Sequence, residues 1–204
     1  LVVLGGKLFV LLADATGHGF GPALSATQLQ AMLRVSFRCG ADLDQAYRHV
    51  NNQLAEDLPD DRFVTAFVGL LDPANHEMRF HSGGQGPILY YHAATRKCEW
   101  FKPTTFPVGI LDMDAPSQAS TLKFEPGDVL AVLSDGVYEY ENAQGGQFGE
   151  ARVAELMKYH YDLPMADFGK QIFAALEDFG GRASQADDIS MVLVKREPAD
   201  SPLE

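Results

Sequence analysis

At Arg62 the hydrophobic period of this chain changes from near four to two, and strand-like segments follow as far as Leu133. Patterning of that length demands several strands in succession, and the short turns between them demand antiparallel pairing. Phe63–Leu71 is apolar on both faces, as expected of a central strand. Asp72-Pro73-Ala74-Asn75 turns the chain. Met78, Phe80 and Ser82 then alternate with Glu77, Arg79 and His81, the pattern of a strand with one wet face. Gly83-Gly84-Gln85-Gly86-Pro87 is a tight loop before Ile88–Tyr91, and Lys97–Phe101 pairs back. Phe106–Leu111 is a short apolar segment, 112–118 a loop and Ala119–Phe124 a further strand. After a turn at Glu125–Asp128, Val129–Leu133 reads as a buried strand, bringing the run to some seven strands.

Helical spacing brackets this run. Pro22 suits a first turn, and Ala26, Leu29, Leu33 and Phe37 predict a helix over 22–38. Asp42 with Gln45 is a capping-box signature for a second helix, whose stripe is Leu43, Ala46, Tyr47, Val50 and Leu54. Helical patterns return at 149–160 and 164–180, split by Pro164 and ended by Gly180-Gly181. A hairpin of Leu1–Val3 and Leu8–Leu12 around Gly5-Gly6-Lys7 opens the chain, and Ile189–Val194 is its last strand. Strands, two helices, strands, two helices and a strand describe an α+β layered domain, antiparallel sheets with helices packed outside. The chain is read as one domain over 1–196 followed by a tail, 197–204. It begins without Met, mid-pattern in a strand, and is expected to be a piece of a longer protein.

The formal net charge of −12, with no cluster of basic residues, argues against nucleic acid as a partner. No apolar run approaches the ~20 residues of a membrane span, and no signal peptide is visible. A cytoplasmic protein is expected. Cys39 and Cys98 belong to no metal-binding spacing and read as buried small hydrophobes. Trp100 and the pair Tyr90-Tyr91 read as packing residues.

The chemistry lies in acidic strand ends. The apolar run Leu8–Ala13 delivers Asp14 and then breaks into Gly17-His18-Gly19 before the first helix. Val129–Leu133 delivers Asp135 beside Gly136, and Asp187-Asp188 precedes the last strand. Were these strands neighbours, the carboxylates would repel unless a cation compensated them. All-oxygen donors favour Mg²⁺ or Mn²⁺ over Zn²⁺, and two such ions suit hydrolysis of a phosphate ester. The competing reading makes them unrelated turn and cap aspartates.

Asp14-Ala15-Thr16-Gly17-His18-Gly19, Arg62-Phe63-Val64-Thr65-Ala66, Gly83-Gly84-Gln85-Gly86-Pro87, Glu125-Pro126-Gly127-Asp128, Ser134-Asp135-Gly136-Val137-Tyr138-Glu139, Phe148-Gly149 and Asp187-Asp188-Ile189-Ser190 occur in that order. The ordered set, spanning about 1–195, resembles the SpoIIE-like branch of the PPM metal-dependent serine/threonine phosphatases. The resemblance implies a four-layer αββα sandwich of two antiparallel sheets with a two-metal Mn²⁺ or Mg²⁺ site. It casts Asp14 as the metal-bridging carboxylate, the carbonyl of Ala15 as a backbone ligand, and Asp135, Asp187 and its neighbour Asp188 as further ligands. Asp14, His18 and Asp135 become the catalytic set, with His18 as general acid for the leaving serine oxygen and metal-activated water as the attacking group. His18 has a bland alternative as a buttress of its turn. The implied substrate is a bacterial phosphoprotein resembling an anti-sigma-factor antagonist, with an upstream sensor or receiver domain as regulator and the helices after Gly19 and Asp42 as the place where regulation enters.

Two departures stand out. Gln85 occupies a position where the resemblance leads one to expect His, and is assigned a loop-shaping role. The expected Gly-Gly-Asp-x-x-Asp segment would lie just upstream of Leu1, so the site as given lacks one ligand. That leaves a catalytically impaired pseudo-phosphatase, a regulatory binding module, as the alternative. A divalent-metal nuclease is the weaker rival, because an acidic chain repels a polyanion. His49, His76, His81, His92 and His160 lack ligand spacing and read as surface or hairpin residues.

Overall fold

The computed structural model describes residues 2–59, 61–181, 185 and 187–198, so the last six residues of the expected tail lie outside it. The chain divides into two compact units, Leu1–Gln85 with Pro103–Lys123, and Gly86–Lys102 with Phe124–Glu204.

The first unit is a five-stranded antiparallel sheet, in the order β1 (Val2–Leu4), β2 (Lys7–Ala15), β3 (Val64–Asp72), β4 (Glu77–Gly83) and β7 (Ser120–Lys123). The run read as apolar on both faces, β3, is the central strand of the five. Helices α1 (Phe20–Arg38) and α2 (Leu43–Asp57) belong to this unit, and Leu29, Leu33, Leu43, Ala46, Tyr47, Val50 and Leu54 form its core with Phe9, Val64, Ala66 and Val68. The Asp42 carboxylate accepts the Gln45 N–H at 2.8 Å and starts α2, as the capping signature predicts.

The second unit is a four-stranded antiparallel sheet, in the order β6 (Lys97–Phe101), β5 (Ile88–His92), β8 (Val129–Leu133) and β9 (Met191–Lys195). Every residue of β8 is buried, which its unbroken apolar run requires. The short α3 (Asp135–Tyr138) follows β8, and α4 (Gly149–His160) and α5 (Met165–Gly180) contribute Val153, Met157, Phe168, Ile172 and Leu176 to this core. Trp100 meets Tyr138 edge-on, and Tyr91 packs on Tyr161, the packing roles expected of them. No helix among the described residues is long and apolar enough to cross a membrane.

Four expectations are corrected. The central run has six strands, because 106–111 forms no strand: Val108 makes only an isolated bridge to Val64. Asn51 and Asn52 of α2 hold the second half of 106–111 and the residues that follow as a loop, bonding Gly109, Leu111 and Met113. The last strand starts at Met191 rather than Ile189. Cys39 is exposed at the end of α1, and Cys98 is half-buried with its Sγ 3.7 Å from the Ala154 carbonyl. His81 is not a surface residue: it is 1 % exposed and paired with Asp44.

Candidate metal centre

In the first unit, Asp14 and Ala15 are the last residues of β2, opposite Thr65 and Val64. Thr65 Oγ1 donates to the Asp14 carbonyl at 3.2 Å. Beyond the strand, Thr16 takes over: its N–H and hydroxyl both donate to the Phe63 carbonyl, at 3.1 and 2.6 Å, and its hydroxyl accepts the Phe63 N–H at 3.0 Å. These bonds pin the loop to the start of β3. Gly17 and Gly19 both take φ of 91°, a conformation L side chains resist, so the sharp entry into α1 needs glycine at these positions. His18 lies between them, exposed, and its ring makes no hydrogen bond among the described residues.

In the second unit, Asp135 opens α3, and its Oδ1 accepts the Gly136 N–H at 2.9 Å. Asp187 lies in the approach to β9, where its Oδ1 accepts the Asp188 N–H at 2.7 Å and its carbonyl accepts from Gln185 Nε2 at 2.8 Å. The structure brings these two together: a carboxylate oxygen of Asp135 and one of Asp187 lie within 4.8 Å. Neither has an ion-pair partner among the described residues. Two unit charges that close repel by about 1 kcal/mol even at the dielectric of water. An exposed pair of hard oxygen donors with no ion-pair partner among the described residues fits a divalent ion such as Mg²⁺ or Mn²⁺.

Asp188 enters this arrangement through its backbone. Its carbonyl accepts from Ser134 Oγ at 3.1 Å and lies so close to Gly136 that a Cβ there would stand 2.3 Å from the oxygen. The sequence reading placed Ser134 and Ser190 inside motifs but assigned neither a role. Their pairing joins residues 56 apart, so no local pattern announces it. Gln85, the departure from the expected His, is buried, and its carbonyl accepts from Ser82 Oγ inside the turn.

The decisive comparison is with a family model, described as Stage II sporulation protein E (SpoIIE), which matches residues 5–197. The chain belongs to the SpoIIE family. Two curated relatives are the phosphoserine phosphatases RsbP and RsbU of Bacillus subtilis (strain 168). They are 22% and 21% identical over 189 and 190 residues, covering 91% and 92% of this chain and 45% and 55% of theirs. The chain therefore spans about half the length of the curated relatives it matches. Among solved structures, the SiaA-PP2C domain of Pseudomonas aeruginosa superposes with a TM-score of 0.77 at 17% identity, covering 94% of this chain and 81% of that one. The PP2C phosphatase domain of SpoIIE from Bacillus subtilis, with a fragment of its regulatory domain, gives 0.71 at 17% identity, covering 95% and 59%. That likeness shows the fold: two antiparallel sheets with helices, as in PP2C-type phosphatase domains.

Proposed function

We propose that this chain is the catalytic domain, over 1–196, of a cytoplasmic, metal-dependent serine/threonine protein phosphatase. Its substrate class is a bacterial phosphoprotein of the anti-sigma-factor-antagonist kind, dephosphorylated in a partner-switching pathway under an upstream sensor or receiver domain. Membership of the SpoIIE family supports the reading, as do relatives named phosphoserine phosphatases. The observation that carries it is the Asp135–Asp187 pair, two exposed carboxylates with an oxygen of each within 4.8 Å and no ion-pair partner among the described residues.

Asp14, the Ala15 carbonyl, Asp135, Asp187 and Asp188 are the proposed ligands for Mn²⁺ or Mg²⁺. Such ions, when bound, lower the pKa of water and offset phosphate charge. The chain's own residues do the rest. Thr16 and Thr65 fix the Asp14 loop against β3, and His18 is free to hand a proton to the departing serine oxygen.

The test is hydrolysis of a phosphoserine peptide with and without Mn²⁺, by this chain and by a chain extended upstream, with Asp135→Ala in each. Mn²⁺-dependent turnover lost in the variant supports the phosphatase reading. Mn²⁺ binding without turnover in either form replaces it with the regulatory pseudo-phosphatase, and absence of Mn²⁺ binding removes the metal centre altogether.

A further inference from the structure

Ser134 links the end of β8 to the stretch that leads into β9. It is 3 % exposed and precedes Asp135, the first residue of α3. A serine there ordinarily bonds an N–H of the helix it precedes, yet this hydroxyl makes no such cap. It donates instead to the Asp188 carbonyl at 3.1 Å and accepts the Ser190 N–H at 3.0 Å. Its own N–H donates to the Ser190 carbonyl at 2.9 Å. Three bonds from one residue thus hold the stretch 188–190 immediately before β9 pairs with β8 at Met191 and Leu133.

The clamp has a second jaw. The Asp188 carbonyl lies between the Ser134 hydroxyl and the bare Cα of Gly136, where a Cβ would stand 2.3 Å from the oxygen. Residues 134 and 136 flank Asp135, and residues 188 and 190 follow Asp187. Contacts on both sides of Asp135 and just after Asp187 thus hold two carboxylates whose oxygens lie within 4.8 Å of each other. Left alone, two exposed anions would move apart.

We propose that Ser134 is a positioning residue, whose hydroxyl sets the divalent-cation affinity of the Asp135–Asp187 pair by fixing Asp187 against Asp135. The inference rests on the metal-centre reading above. Groups that orient metal ligands without touching the metal typically carry ten- to a hundredfold of its affinity, and Ser134 is placed to do so for a ligand four residues before the first residue of β9.

The experiment is calorimetric titration of the full chain with Mn²⁺, for wild type, Ser134→Ala, Ser134→Thr and Gly136→Ala. Each metal-free protein is also melted. Ser134→Ala is expected to weaken Mn²⁺ binding about tenfold or more, with Ser134→Thr restoring most of it. Gly136→Ala, which displaces the Asp188 carbonyl while leaving the hydroxyl in place, is expected to weaken binding similarly, and it decides the matter if Ser134→Ala does not fold. Wild-type Mn²⁺ affinity in folded Ser134→Ala and Gly136→Ala, even with lowered melting temperatures, overturns the proposal and leaves the metal centre standing. A wild-type chain that binds no Mn²⁺ overturns both.

Discussion

Asp44 on α2 and His81 on β4 face each other within the first unit, carboxylate Oδ1 to imidazole Nε2 at 2.9 Å. The same carboxylate accepts from Arg79 Nη2 at 2.9 Å and from the Ala119 N–H at 3.0 Å. One side chain of α2 therefore anchors the helix to β4 and to the segment entering β7. The imidazole stacks on Tyr47 at 4.5 Å between centroids, and Ser117 Oγ lies 3.4 Å from its Nδ1. Burial pushes the His81 pKa below its ordinary value, with Arg79 acting in the same direction and Asp44 opposing. The ring is neutral: Nε2–H donates to the carboxylate, and Nδ1 accepts from Ser117.

This pair has a pH signature. The unfolded chain takes up a proton at His81 near 6.5, whereas the folded chain resists until lower pH. The unfolded state thus binds more protons in that interval, and the His81 contribution, present above 6.5, is lost as pH falls. Urea unfolding at pH 5 and pH 8 should show wild-type stability falling toward pH 5. His81→Gln should be about 1–2 kcal/mol less stable at pH 8 and should show a shallower fall. Equal slopes in the two proteins would remove His81 as a source of the dependence.

His81 also marks where the sequence stops being legible. Period-two alternation puts it on the face of Glu77 and Arg79, and its partner Asp44 stands 37 residues earlier, so no local pattern announces the pair. Likewise, 106–111 is apolar enough for a strand, and only the distant amides of Asn51 and Asn52 show why its end is a loop. Where the determining interactions were local, the reading worked: the five apolar residues of β8, and the Asp42 cap three residues from Gln45. The places of Asp14 at the end of β2 and of Asp135 just after β8 were legible for the same reason. Ser134 was not, because its partners Asp188 and Ser190 come 54 and 56 residues later.

Asp128 is a buried polar anchor of the second unit. It is 3 % exposed and accepts from Tyr90 Oη at 2.6 Å, the Ala93 N–H at 2.8 Å and the Glu125 N–H at 2.9 Å. Burial, then the Asp128 carboxylate itself, raise the Tyr90 pKa, so the phenol stays a donor. Asp128→Ala strands all three donors and should cost about 3 kcal/mol or more. Tyr90→Phe leaves both backbone bonds and should cost about 1 kcal/mol. Chemical denaturation of the two variants checks the order.

The two cysteines should separate by reactivity. Cys39 is exposed, whereas Cys98 is half-buried and burial raises its thiol pKa, Lys158 opposing and Glu155 adding. Since the thiolate reacts, an aromatic disulfide reagent at pH 8 should label one thiol per native chain quickly and the second only slowly or on unfolding. Cys39→Ser should abolish the fast phase; a fast phase that survives it would mean that Cys98 is the accessible thiol.

His18 offers a test that separates proton donation from a turn-building role. It is exposed between two glycines whose φ of 91° already makes the turn, and its ring bonds no neighbour among the described residues. The turn therefore does not depend on the imidazole. On the proposed reaction, the departing serine oxygen is a poor leaving group that needs a proton, whereas a nitrophenolate does not. His18→Ala should lower kcat for a phosphoserine peptide about a hundredfold and change hydrolysis of p-nitrophenyl phosphate little. Equal losses on both substrates would make His18 a binding residue rather than the acid. Unchanged turnover of both would leave it no part in the reaction.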